Sequence, residues 1–181
     1  MLEIVVPETD FFDEATSDFI KVNETKLTLE HSLVSLSKWE SKWKKPFLSS
    51  EKSLEEIRDY VRCMTLTQNV KPEVYIALNK DNINDVINYI DDPMTATWFN
   101  EDESKSPTRK KEIITAEIIY YWMISLQIPV EFQKWHLNRL MTLIKVCSIK
   151  NAPDKKMDKK ALLSRNANLN AARRAAMRSR G

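Results

Sequence analysis

Glycine is almost absent from this chain. One occurs in 181 residues, Gly181, and it stands last, whereas a folded chain of ordinary usage carries roughly 7%. Glycine lets the backbone turn through positive φ and approach a phosphate closely. Its absence excludes the GxGxxG dinucleotide loop, the GxxxxGKS/T phosphate loop and the GxSxG nucleophile elbow. Most common nucleotide-binding and hydrolase architectures go with them. A helical protein that works through its surfaces remains, with Pro, Asn and Asp left to make its turns.

Composition supports a packed body. The hydrophobic share is 43%, with five Trp, six Phe and five Tyr as large rigid core side chains. No run of ~18 uncharged apolar residues is present, so no membrane span is expected. The acidic start, MLEIVVPETDFFDEATSDF, lacks the basic region of a signal peptide. Cys63 and Cys147 lie far apart without a CxxC partner, and His31 and His136 are equally isolated. A reduced cysteine pair, no metal site and no cofactor are expected. The net charge of +2 hides an asymmetry: residues 151–181 carry nine Lys/Arg against Asp154 and Asp158, a net +7, leaving −5 on residues 1–150.

The pattern along the chain predicts a mainly α fold. It comprises an N-terminal extended or hairpin segment (1–30), a compact helical core domain (31–150) and a basic C-terminal extension (151–181). Leu2–Val6 is short and β-branched before Pro7. Residues 19–22 and 26–30 alternate around the polar Asn23-Glu24-Thr25, which predicts a small β-hairpin turning there. From Ser32 the period becomes helical, with Leu33, Leu36, Trp39 and Trp43 in one stripe. Ser53 and Glu56 form a capping-box start, Pro72 opens a short helix, and Asp81-Asn82 caps one over Ile83–Ile90. The densest apolar segment predicts a helix over about 109–127. Pro129 breaks it from a second helix at about 130–148, giving a helical hairpin expected to form the core. The tail has a thin apolar face of Leu162, Leu169, Ala172 and Ala176, so it is expected to fray alone and to be helical when bound.

Candidate functional residues each have a plainer alternative. Glu117, a carboxylate within the most apolar segment, could act as a general acid or base. Without a second carboxylate or nucleophile nearby, a structural pairing with Lys134, His136 or Arg139, or an escape to the helix edge, is expected. His136 reads as a core or rim histidine and not as a ligand. Asp91-Asp92 and Glu101-Asp102-Glu103 lack the alternating spacing of a calcium loop. In Ser37–Phe47, lysines interleave with Trp39 and Trp43, a pattern that serves nucleic-acid stacking; the one-turn spacing favours packing in a core or a partner groove. The basic tail suits a protein partner, with nucleic acid as the competing ligand.

Several blocks together carry a resemblance. They are LVSLSKWESKWKKPFL (33–48), IRDYVRCMTLTQNV (57–70), DDPMTATWF (91–99), ITAEIIYYWMISLQIPVEFQKWHLNRLMTLIKVCSIKN (114–151) and KKMDKKALLSRNANLNAARR (155–174). The chain resembles the tail assembly chaperones of long-tailed bacteriophages from about residue 30 onward. The resemblance implies a mainly helical, non-enzymatic protein in the host cytoplasm that binds the long tape measure protein. It would help tail-tube protein polymerise around that partner and leave before the virion is complete. The partner-binding residues expected on this reading are Trp39, Trp43 and Trp98 in one apolar groove, with Arg165, Arg173, Arg174 and Arg178 on the basic arm. Self-association into a homo-oligomer is compatible with it. The competing readings are a structural virion component, such as a connector or tail-completion subunit, and a nucleic-acid-binding adaptor using the tail.

Overall fold

A computed structural model of the chain describes residues 1–13, 18–99, 113–152 and 159–176. The fold is mainly α, with strands at its N-terminal end, and divides into two units, Met1–Ile149 and Lys150–Gly181.

The strands are β1 (Leu2–Val6), β2 (Thr9–Asp13), β3 (Asp18–Val22) and β4 (Thr25–Leu29). β1 pairs with β4 and β2 with β3, both antiparallel. Val6 opposes Thr25 and Thr9 opposes Val22, so the register runs unbroken through both sheets and the four strands make one long hairpin. Pro7, which has no N–H to donate, lies at the interruption and faces the Asn23-Glu24 side. The turn expected at Asn23–Thr25 is therefore only a break in one arm. Residues 14–17, between β2 and β3, lie outside the described residues. Ile4, Val6, Leu27 and Leu29 point into the core, while Glu3, Val5 and Lys26 alternate outward.

The helices begin where the sequence supplies caps. α1 (Leu33–Trp43) and α2 (Leu54–Met64) start on capping boxes at Ser32 and Ser53, and α3 (Pro72–Ile76) opens on its proline. α4 (Lys80–Asp91) is capped by Asn79 with Asn82 in reciprocal bonds, ahead of the expected Asp81-Asn82 start. α5 covers only Ala116–Ser125; residues 113–115 are not helical, and 109–112 lie outside the described residues. The helix expected over 130–148 is instead a 3-10 turn at Val130–Lys134 followed by α6 (Leu137–Asn151). Among the described residues the shortage of glycine is felt at four non-glycine positions with positive φ: Lys44 (55°), Asn69 (59°), Met94 (49°) and Gln127 (55°). Lys44 ends α1 in the left-handed conformation that glycine ordinarily takes, at a cost of roughly 1–2 kcal/mol.

The core is centred on α1, not on the last two helices of the first unit as expected. Leu33, Leu36 and Trp39 are fully buried, and α1 packs on α2 and α5. Glu40, itself buried, accepts hydrogen bonds from the Phe47 N–H (2.7 Å) and the Ala116 N–H (2.8 Å), tying α1 to the first turn of α5. α5 buries Ala116, Ile119 and Met123 but leaves Tyr121 and Ile124 66% and 77% exposed. A helix apolar on every side is ordinarily central. This one has a bare side.

The second unit contains α7 (Lys159–Ala176), described by itself. The described side chains at 163, 164 and 166–174 are exposed, and the Arg174 Nε–H donates to the Asn170 carbonyl (3.3 Å).

Candidate partner-binding groove

Between α5 and α6 lies an open groove of about 590 Å³. Trp122 of α5 and Leu126 just past its end form one wall, Met141, Ile144 and Ile149 of α6 the other, and Phe99 closes one side. Its chemistry follows from periodicity. α6 turns Leu137, Leu140 and Ile144 inward, which sets Met141, Lys145 and Ile149 along the adjoining face. Ser125, Thr142 and Ser148 add hydroxyls to the lining, and Ile149 is 55% exposed. Lys145 is the single charged residue in the lining, and its Nζ sits 3.9 Å from the Phe99 ring centroid, a cation–π arrangement.

The residues expected to share one groove do not. Trp39 is fully buried, and its Nε1–H donates to the Glu56 carbonyl at 2.9 Å, so it belongs to the core. Trp43 is half-buried and donates to Asp59 Oδ2 at 2.8 Å. Only Trp98 stands in solvent, 92% exposed, beside Phe99. The helical stripe that places Trp39 and Trp43 one turn apart marks burial, since both face α2. Arg173 and Arg174 are exposed on α7; the Arg165 side chain and Arg178 lie outside the described residues. Glu117 is exposed in the first turn of α5, at the edge and not in the apolar middle, and makes no ion pair among the described residues.

The buried carboxylates are others. Glu40, Glu56 and Asp59 all serve internal donors. Burial alone would raise the Asp59 carboxyl, but bonds from the Lys42 ammonium and the Trp43 indole, with the charge of Arg62, hold it below the usual range. The bond from Lys45 and that from the Ser53 N–H hold Glu56 low in the same way. All three acids are occupied in structural roles.

The two histidines, remote in sequence, meet in the core with ring centroids 5.1 Å apart. His31 Nδ1 lies 2.6 Å from the Tyr60 hydroxyl, and His136 Nε2–H donates to the Tyr89 carbonyl at 2.9 Å. A carbonyl can only accept, so Nε2 carries the proton; Nδ1 of His136 is buried without a partner among the described residues. Burial, with the neighbouring His136, pushes His31 down to about 3. At 1% and 5% exposure neither ring is open to a substrate, in keeping with the core role expected for His136. Their backbones also join the chain: the Leu137 N–H donates to the His31 carbonyl (2.8 Å), and Ser32 bridges to His136. Nothing in the sequence links positions 31 and 136; only long-range folding does.

Cys63 and Cys147 are free thiols, and burial pushes Cys63 up, away from thiolate chemistry. Among the described residues no cluster of three His, Cys, Asp or Glu could hold a metal ion, and no helix is long and apolar enough to cross a membrane. Comparison with protein-family models, with curated proteins and with solved structures yields no match.

Proposed function

We propose that this protein is a tail assembly chaperone of the long-tailed bacteriophage type, which shields an apolar helical segment of the tape measure protein during tail assembly. The observation that carries the reading is the open, mostly apolar α5–α6 groove, which brings Phe99, Trp122, Leu126, Met141 and Ile149 together. Ile149 is 55% exposed and the others are half-buried, and a contiguous accessible apolar surface marks an interaction site. A groove between two helices accepts a third helix through anchors at i, i+3, i+4 and i+7. Methionine 141 in the wall adds a side chain that adapts to irregular partners. The family assignment itself rests on the resemblance of the sequence blocks. On this reading the docking site is Trp122, Leu126, Met141 and Ile144 with Trp98 at the rim, in place of Trp39 and Trp43.

The test is co-expression with the tape measure protein encoded beside it. The expected result is that the tape measure protein stays soluble and co-purifies with this chain, and that Ile149→Lys, at an exposed lining position, breaks the complex without unfolding the chaperone. Separate elution, with the tape measure protein aggregating regardless, would sink the proposal.

A further inference from the structure

The groove also carries information about the charge of its occupant. Its lining is mostly apolar, with the hydroxyls of Ser125, Thr142 and Ser148 added, and among the described residues Lys145 is its one charged group and no carboxylate lines it. Lys145 makes no ion pair among the described residues, and its ammonium rests over the Phe99 ring. A ring face compensates a cation less well than a carboxylate does, because a carboxylate offers full opposite charge and two acceptor oxygens. When a partner covers the groove, water leaves and the cation's need for a counter-charge grows. An ammonium buried opposite a second cation or an apolar residue would oppose docking.

The shape says what kind of segment brings that charge. Met141 to Ile149 runs along α6 for about 12 Å at the helical rise, which is slightly more than two turns of a partner helix. Ile149, 55% exposed at the end of that wall, gives such a helix an accessible apolar contact.

We infer that the α5–α6 groove takes an amphipathic helix whose apolar stripe is flanked by a carboxylate, and that Lys145 is the specificity residue that pairs with it. Phe99 holds Lys145 in the free protein, and the partner's carboxylate takes over that ammonium on docking. The inference rests on the groove being the partner site, and concerns which helices that site prefers.

The test uses the full-length protein and two synthetic amphipathic helices of about 20 residues, long enough to hold helical structure when bound. Both carry the same leucine stripe at i, i+3, i+4 and i+7; one has Glu beside the stripe and the other Lys. Binding is read by fluorescence anisotropy at moderate salt for wild type, Lys145→Glu and Lys80→Glu, the last making the same charge change on α4 outside the groove. Circular dichroism checks that each variant is folded. The expected result is a preference of about tenfold for the Glu helix in wild type and in Lys80→Glu, reversed in Lys145→Glu. If both helices bind equally and Lys145→Glu changes nothing, the charge inference is overturned while the groove stands. If Lys80→Glu shifts the preference as much as Lys145→Glu, the effect is a general field and the specificity role of Lys145 is overturned. If neither helix binds, the groove itself fails as a helix site, and the inference with it.

Discussion

His31 occupies a position that water does not reach, and that fixes how it responds to acid. Burial favours its neutral imidazole, and the His136 ring 5.1 Å away makes a proton on it less welcome. The groups facing the pair are the Tyr60 hydroxyl from α2, Ser32 and Ser35 from the start of α1, and the Tyr89 carbonyl from α4. No carboxylate bonds to either ring, so nothing there stabilises an imidazolium. His31 falls from its ordinary 6.5 to about 3. Its neutral form therefore contributes stability that is complete above pH 6.5 and is lost as pH falls toward 3, with a ceiling on the order of 5 kcal/mol. The urea midpoint is expected to drop steadily through that window in the wild type. In His31→Gln, measured against its own neutral-pH value, the acid limb should be much flatter. An equal slope in both proteins would move the acid sensitivity elsewhere.

At the scale of elements, caps and far-reaching carboxylates were unequally legible. Ser53 and Glu56 lie three residues apart, so their reciprocal bonds could be read from local spacing. Glu40 could not be read, because its acceptor oxygens serve Phe47 and Ala116, the latter 76 residues away. Local pattern reports neighbours along the chain; it carries no account of donors that arrive through tertiary folding. The same limit misplaced α5. Its composition is apolar on all sides, which locally signals burial, but α1 covers only the face of Ala116, Ile119 and Met123. The two faces are expected to separate in thermodynamics. Ile119→Ala should cost about 2–5 kcal/mol in denaturant unfolding, as a cavity in a closed core does. Ile124→Ala should stay within about 0.5 kcal/mol, as an exposed substitution does. Similar losses at both positions would mean that the outer side of α5 is covered.

For the molecule as a whole, every buried core side chain among the described residues lies between Ile4 and Ile144, inside the first unit. That unit holds the strands, six helices and the groove. It therefore has the means to fold by itself. Ending the chain at Asn151 is expected to leave a cooperative thermal transition within about 2 °C of the full-length protein, measured by circular dichroism at 222 nm. A larger fall would show that residues beyond it contribute to the stability of the body.

The sequence by itself determined the class of the fold, the cap of α2, the proline opening of α3 and the exclusion of glycine-dependent phosphate loops. Each depends on spacing within a few residues or on a residue type being absent. It also marked Trp39 as an apolar-stripe residue, but whether such a residue lines a core or a groove depends on what lies opposite. Tertiary structure alone decided that. It put α2 over Trp39 and left Ile124 uncovered, brought His31 against His136, and ran the N-terminal strands as one long hairpin. It also put left-handed backbone on Lys44 and Gln127, where the expectation was Pro, Asn or Asp turns. Burial and long-range pairing are properties of surfaces meeting, and a linear pattern supplies one surface at a time.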